Sequence, residues 1–337
     1  MQRALRLTLA LPVVAVLAAC SSSAPADPGS GAAGDDVITI EHAFGTTEIP
    51  GTPERVATVN WANQDIALSL GVVPVGMAAQ TYGDDDGDGI LPWTAEALDE
   101  LGGEAPVLFD ETDGIDFEAV AESDPDVILA AYSGLTEEDY ATLSEIAPTV
   151  AYPEYAWGTP WRESLAVTGE ALGLEDEAAA VEADIDEQVA AAADGAAFAG
   201  LSGAMLFVDP TDLSTISAYT PLDTRIQLLD ELGLAPAPSV ETLGEDNAGQ
   251  FFGTVSAEQA DTFDDVDLIV AYGDQTLLDQ LQADPLLGTI PAIQRGAVAL
   301  LTDGTPLAAA LTPTPLSIPW ALDEYVAVFD AAAQNAQ

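Results

Sequence analysis

The sequence has no lysine, one cysteine and one histidine, and its 6 basic residues, all arginine, stand against 58 aspartates and glutamates in 337 positions. Each scarcity removes a class of function. Nucleic-acid binding draws on clustered Lys and Arg that displace counterions from phosphates, so a nucleic-acid partner is excluded. The same shortage excludes attachment to anionic lipid through a basic face. A lone cysteine, Cys20, rules out an intrachain disulfide, and with His42 the only histidine no His- or Cys-rich transition-metal site can be built. Iron, if carried, therefore arrives already chelated, and no resident metal or cofactor is expected. Hydrophobic residues nevertheless make up 48% of the chain, enough to bury a core despite the net charge of -52. The length favours two domains, because single cores stop growing near roughly 250 to 300 residues.

The N-terminus carries Arg3 and Arg6, an apolar stretch from Leu7 to Val16, then Leu17-Ala18-Ala19-Cys20. The apolar run is shorter than the roughly 20 residues a bilayer-spanning helix needs, which reads as a signal peptide over 1–19. Leu-Ala-Ala-Cys resembles the lipobox of bacterial lipoproteins, and that resemblance implies cleavage before Cys20 and acylation of its sulfur and nitrogen. The mature protein would then be extracytoplasmic, anchored by lipid to the outer face of the cell membrane. Residues 20–36, rich in Ser, Gly, Ala and Pro, read as a flexible tether.

From Val37 short apolar runs alternate with helix-like stretches, the pattern of an α/β architecture with mainly parallel strands. Candidate strands are 56–59, 127–131, 204–208, 268–271 and 297–301. Glu118 to Tyr132 and Glu258 to Tyr272 align without a gap, each running from Glu through a helix and an acidic turn to a strand ending in Ala-Tyr. The strand from Val56 leads to a helix ending Leu70-Gly71-Val72, and the strand from Ala204 to one ending Leu232-Gly233-Leu234. Between the copies, Val181, Ile185 and Val189 recur every fourth residue in a stretch free of Gly and Pro, the mark of one long helix. The expected layout is an N-terminal lobe over 37–173, a rigid connecting helix over 174–196 and a C-terminal lobe over 197–337. A ligand cleft should open between the lobes, at their strand ends.

The segments PERVATVNWANQDIALSLGVVPVG (53–76), FEAVAESDPDVILAAYSGLTEEDYATLSEIAPTVAY (117–152), WRESLAVTGEALGLEDEA (161–178) and PAIQRGAVAL (291–300) resemble those of extracytoplasmic substrate-binding proteins of ABC importers for ferric siderophores and cobalamin. DGILPW (88–93) and YTPLDTR (219–225) are similar to segments of siderophore-binding lipoproteins of high-GC Gram-positive bacteria. The resemblance implies a monomer that captures a ferric siderophore without reacting with it and hands it to an ABC permease. It also implies that Glu118 and Glu258, one on each lobe, dock onto that permease. Cobalamin and haem stay open within the class, and the rival from outside it is an extracellular hydrolase using paired carboxylates.

Aromatics supply the candidate ligand contacts. Trp61, Trp93, Trp157 and Trp320 sit at loop or helix-start positions, where an indole can pack a bulky ligand and still use its N–H. Tyr132 and Tyr272, the paired strand ends, should face each other across the cleft. Ferric siderophores are often anionic, and residues 20–337 hold four arginines. Arg55 and Arg295 suit structural or solvated roles; the resemblance puts a ligand contact at Arg225, with Tyr219 beside it, and Arg162 next to Trp161 is the second candidate. A guanidinium matches catecholate, hydroxamate or carboxylate through its rigid fork of donors. Asp84-x-Asp86-x-Asp88-Gly89 matches the first half of a calcium loop but has Ala95 where the closing Glu belongs, so an acidic turn is favoured.

Overall fold

The computed structural model describes residues 37–336; the signal peptide, Cys20 and the tether lie outside the described residues. The described chain starts with an antiparallel hairpin of β1 (Val37–His42) and β2 (Gly45–Pro50). Five parallel strands follow: β3 (Val56–Thr58), β4 (Gly76–Ala78), β5 (Val107–Phe109), β6 (Val127–Leu129) and β7 (Thr149–Val150), in the order β5-β4-β3-β6-β7. A parallel strand is covered on both faces, which is why β3, β4 and β6 are short, wholly apolar or nearly so, and buried throughout. The helices that follow these strands are α1 (Asn63–Ser69), α2 (Pro92–Leu101), α3 (Phe117–Glu122), α4 (Glu137–Ser144) and α5 (Trp161–Leu172). The strand order reverses between β3 and β6, which makes their carboxyl ends the topological switch point of this lobe.

After α6 (Glu175–Ala193) comes the second sheet. Its elements are β8 (Ser202–Asp209), β9 (Asp212–Tyr219), α7 (Thr224–Glu231), β10 (Ala235–Pro236), α8 (Pro238–Asp246), β11 (Phe252–Ser256), a 3₁₀ helix (Ala257–Phe263), β12 (Leu268–Tyr272), α9 (Gln275–Ala283), α10 (Pro291–Arg295), β13 (Val298–Leu301), α11 (Pro306–Ala310) and α12 (Ser317–Ala333). The order is β11-β9-β8-β12-β13, with β10 added on β8; β8, β10, β12 and β13 are parallel and β9 is antiparallel to both of its neighbours.

Two details depart from the internal repeat expected from sequence. The strand from Ala204 does not feed a helix directly, because β9 intervenes as a hairpin partner. β9 buries Ile216 and Ala218 between more exposed residues, the alternation of a strand with one wet face. The counterpart of α3 is a 3₁₀ helix broken at Gln259 (φ -111°, ψ 28°), so the duplicated sequence does not give a duplicated helix.

α6 packs on α5 from the first lobe and on α7 and α12 from the second. It buries Ala178, Ile185 and Val189, and Val181 flanks that stripe half-buried. Gly169 lets α5 and α6 approach closely, since a side-chain carbon there would press on Ala178. One apolar cluster runs unbroken from Ile66 and Leu165 through Ile185 and Val189 to Leu228 and Phe329, so the helical layer joins the lobes through a shared core and not through a free hinge.

Candidate ligand-binding cleft

The site is built at the switch point. Asn63, 1% exposed, donates its side-chain amide to the carbonyls of Val59 (2.8 Å) and Tyr132 (2.8 Å) and accepts from the Tyr132 N–H (3.0 Å). That clamp ties together the chain leaving β3 and the chain leaving β6, and so sets where Trp61 and Tyr132 stand. Trp61 lies between Asn60 (φ 60°) and Ala62 (φ 66°), both left-handed, and Trp157 (φ 59°) is left-handed as well. Non-glycine residues held in this region cost about 1–3 kcal/mol each and cluster at ligand clamps. Of the four described here, Trp157 lines the cleft itself, and Asn60 and Ala62 flank Trp61, which also lines it.

The cleft is a cavity of about 530 Å³. Trp61, Tyr82, Tyr132 and Trp157 line it from the first lobe; Phe207, Tyr219, Phe251 and Tyr272, with Arg225, Asp303 and Thr312, line it from the second. Its rings form connected edges: Tyr82 meets Tyr272 at 6.3 Å between centroids, and Tyr132 meets Trp157 at 5.5 Å, both edge to face. The Tyr82 hydroxyl donates to Asp303 Oδ1 (2.8 Å), a second tie across the lobes. Burial pushes the Tyr132 and Tyr272 hydroxyls up to about 12, so at neutral pH both are uncharged donors.

Arg225 enters from the start of α7. Asp223 caps that helix by accepting the Arg225 N–H (2.9 Å), and the same carboxylate takes Nε (2.7 Å) and Nη2 (2.6 Å) of the Arg225 side chain. The guanidinium lies over the Tyr219 ring, 4.0 Å from its centre. Nη1 is left with a long contact to the Tyr272 hydroxyl (3.4 Å), which makes it the donor still available to a ligand.

Six of the nine candidate contacts thus share one cavity: Arg225, Tyr219, Trp61, Trp157, Tyr132 and Tyr272. Three do not. Arg162 is drawn into an ion cluster with Glu182 and Asp186 on α6 and Glu231 on α7, and its guanidinium lies 4.3 Å from the centre of the Trp161 ring. Three carboxylates outcompete a ligand for its donors, and the result ties α5 to α6 and α7. Trp93 is 4% exposed and donates its indole N–H to the buried Asp65 (2.7 Å), while its ring packs on Trp320 at 5.1 Å. Asp65 is pushed up to about 6 by burial and also accepts from Thr94 (2.7 Å) and, from the second lobe, Thr314 (2.9 Å). The acid that claims Trp93 is therefore part of the join between lobes.

Arg55 donates to the Ser123 and Asp124 carbonyls and Arg295 to those of Val266 and Asp267, which places both in structural roles. Glu118 and Glu258 are exposed, each in the first turn of its helix. Asp84, Asp86 and Asp88 gather within 4.8 Å, but Asp84 spends its oxygens on the N–H groups of Gly87 and Gly89, as an acidic turn does. Sequence reasoning missed Tyr82, Phe207, Asp303, Phe251 and Thr312; the first three sit at or just beyond the carboxyl end of a strand, after β4, near the end of β8 and after β13, whereas Phe251 precedes β11 and Thr312 follows α11. Carboxyl strand ends are the signal that marks the first three; nothing in the local sequence marks the other two.

Two α/β lobes on a shared helical layer, with an aromatic cleft at their strand ends, define a two-lobed solute-binding protein. The chain belongs to the periplasmic binding protein family, whose profile matches residues 56–305. Its fold is similar to that of PiaA from Streptococcus pneumoniae TIGR4, crystallised in complex with ferrichrome: 43% identity, a TM-score of 0.86, and coverage of 89% of this chain and 100% of that one. The ferric enterobactin-binding periplasmic protein FepB of Escherichia coli is 26% identical over 284 residues, 78% of this chain and 83% of FepB. YhfQ of Bacillus subtilis, named as an ABC transporter substrate-binding lipoprotein, is 28% identical over 151 residues, 45% of this chain; the chain spans 43% of the length of YhfQ.

Proposed function

We propose that this protein captures a ferric siderophore in the cleft between its lobes and delivers it to an ABC importer, binding it without chemical change. The observation that carries the reading is the cleft itself: about 530 Å³, walled by aromatic rings from both lobes, with one guanidinium, that of Arg225, in its lining among the described residues. Rings of this kind accept the apolar backbone of a large chelate while their N–H and O–H groups and Arg225 meet its iron-binding oxygens. The likeness to PiaA crystallised with ferrichrome supports the same reading. His42 offers a hydrolase little, since its ring nitrogens are occupied by the Thr47 hydroxyl (2.9 Å) and the Phe44 N–H (3.2 Å) within one hairpin.

In this reading the protein is a monomer, acylated at Cys20 and held outside the cell membrane by the tether 20–36. Among the described residues no helix is long and apolar enough to cross a membrane. The lobes correspond to residues 37–173 and 197–337 with 174–196 between them, and Glu118 and Glu258 dock onto the permease. The test is a titration of the full chain in detergent with ferric siderophores, cobalamin and haem, followed by tryptophan fluorescence, because Trp61 and Trp157 line the cavity. Quenching below micromolar concentration by a ferric siderophore is the expected result. Quenching by cobalamin or haem alone, or by none, overturns the reading.

A further inference from the structure

Trp61 and Trp157 have a second side. Beyond them lies an adjoining cavity of about 380 Å³, which they also line. Its polar side chains are Asn60, Gln80, Thr81, Glu111, Thr112 and Asp139, with no basic residue among them. Glu111, half-buried two positions past β5, accepts the Asn60 N–H (3.0 Å) and the Asn60 side-chain amide (3.2 Å). The left-handed Asn60 is held from its other side by the Gly134 N–H, donated to its Oδ1 (3.1 Å), so the carboxylate is presented on a braced loop. No arginine pairs with it among the described residues. A desolvated carboxylate without a cation is an unfinished arrangement. Gln80 adds an independent sign. It is 2% exposed, its Nε2 donates to the carbonyls of Ala78 (2.9 Å) and Asn60 (3.3 Å), and that fixes the amide so that Oε1, an acceptor, is left without a partner.

Charge across the whole cleft points the same way. Arg225 is already paired with Asp223, whereas Asp303, which lines the first cavity with it, and Glu111 and Asp139 in the second form no ion pair among the described residues. A lining of this charge suits a chelate with an uncharged core better than an anionic one. Three hydroxamates neutralise one ferric ion, so a trihydroxamate core is uncharged and any charge it brings lies on its periphery. We propose that the compartment beyond Trp61 and Trp157 is a subsite for a protonated amine carried by the chelate, with Glu111 as its counter-ion and Gln80 Oε1 as a further acceptor behind it. This rests on the siderophore reading above and narrows it to neutral-core chelates bearing an ammonium arm. Burial raises the Glu111 carboxyl from its ordinary value, against the lowering effect of the Asn60 hydrogen bonds.

The experiment uses two probes, a linear ferric trihydroxamate ending in a primary amine and the same chelate with that amine acetylated. Each is titrated against the full chain in detergent at pH 7 and constant ionic strength, with tryptophan fluorescence as readout. The native protein should prefer the amine by at least tenfold. Glu111→Gln should bring the ratio below threefold. Thr81→Lys, at an exposed lining position where folding is not at risk, should lower it too by placing a rival ammonium in the compartment. Equal affinities in the native protein, or a preference that survives both substitutions, overturn the subsite while leaving the siderophore reading standing. Failure of both chelates to bind, with other ferric siderophores also silent, removes both.

Discussion

Replacing Arg225 by Met isolates the energetic role of the one guanidinium that lines the cleft among the described residues. Asp223 is 1% exposed and the Arg225 side chain 15% exposed, and the pair is bidentate at 2.7 and 2.6 Å. Removing the cation leaves a carboxylate in a desolvated site with the Arg225 backbone N–H as its remaining partner. Breaking a buried pair from one side costs about 3–5 kcal/mol, most of it the uncompensated charge and not the lost attraction. The contact with the Tyr219 ring adds about 0.5–1 kcal/mol. Urea unfolding at pH 7 should therefore show a loss of several kcal/mol in Arg225→Met. Asp223→Asn combined with Arg225→Met should recover most of it, because Asn caps a helix as well as Asp does and leaves no buried charge. Molar salt should not rescue the single variant, since a buried pair is weakly screened. A single variant within about 0.5 kcal/mol of the native protein, or a double variant no more stable than the single, would refute the reasoning. Both variants should bind a ferric trihydroxamate at least tenfold more weakly, about 1.4 kcal/mol, because Nη1 is missing from each.

Three further outcomes can be checked. Asp65 has a folded value of about 6, above the ordinary carboxylate range, so it takes up more protons folded than unfolded. Its contribution is therefore fully present below about pH 4 and lost as pH rises to 6, a change on the order of 2–3 kcal/mol that Asp65→Asn should abolish; an unchanged pH profile of urea stability in that variant would contradict the assignment. At Gly134 a side-chain carbon would run into the Trp157 indole, so Gly134→Ala should displace that ring and weaken chelate binding at least tenfold without unfolding the protein, and unaltered affinity by fluorescence titration would remove Trp157 from the site. Reversing Glu118 and Glu258 to Lys should spare chelate binding and stop cellular uptake of radioactive iron, and intact uptake would end the docking assignment.

Five parallel strands were legible because a strand covered on both faces must be an unbroken apolar run, and the cores of β3, β6, β8, β12 and β13 fall on the candidate segments, while the two- and three-residue strands β4, β5, β7 and β10 are too short to stand out that way. The connecting helix was legible because Val181, Ile185 and Val189 repeat at helical spacing. β9 and β11 were not. They buried alternate residues among polar ones, and β9 joined a sheet whose register depends on a partner chain segment and not on its own composition.

At the site, Trp61, Trp157, Tyr132 and Tyr272 could be placed because they stand at strand ends or in the loops beyond them, where parallel sheets leave ligands room. Arg162 and Trp93 could not be told from them. Arg162 meets Asp186 and Glu231, 24 and 69 positions away, and Trp93 meets Asp65, 28 positions away; nothing in their local sequence announces these partners.

Sequence alone determined the class of protein: an acidic two-lobed α/β chain with almost no cation to offer a ligand. Tertiary structure decided which cation remained and what it faced. Pairing is set by distance in the folded chain, so only folding could commit Arg162 to structure, match Arg225 with Asp223, and leave Glu111 without an arginine partner among the described residues.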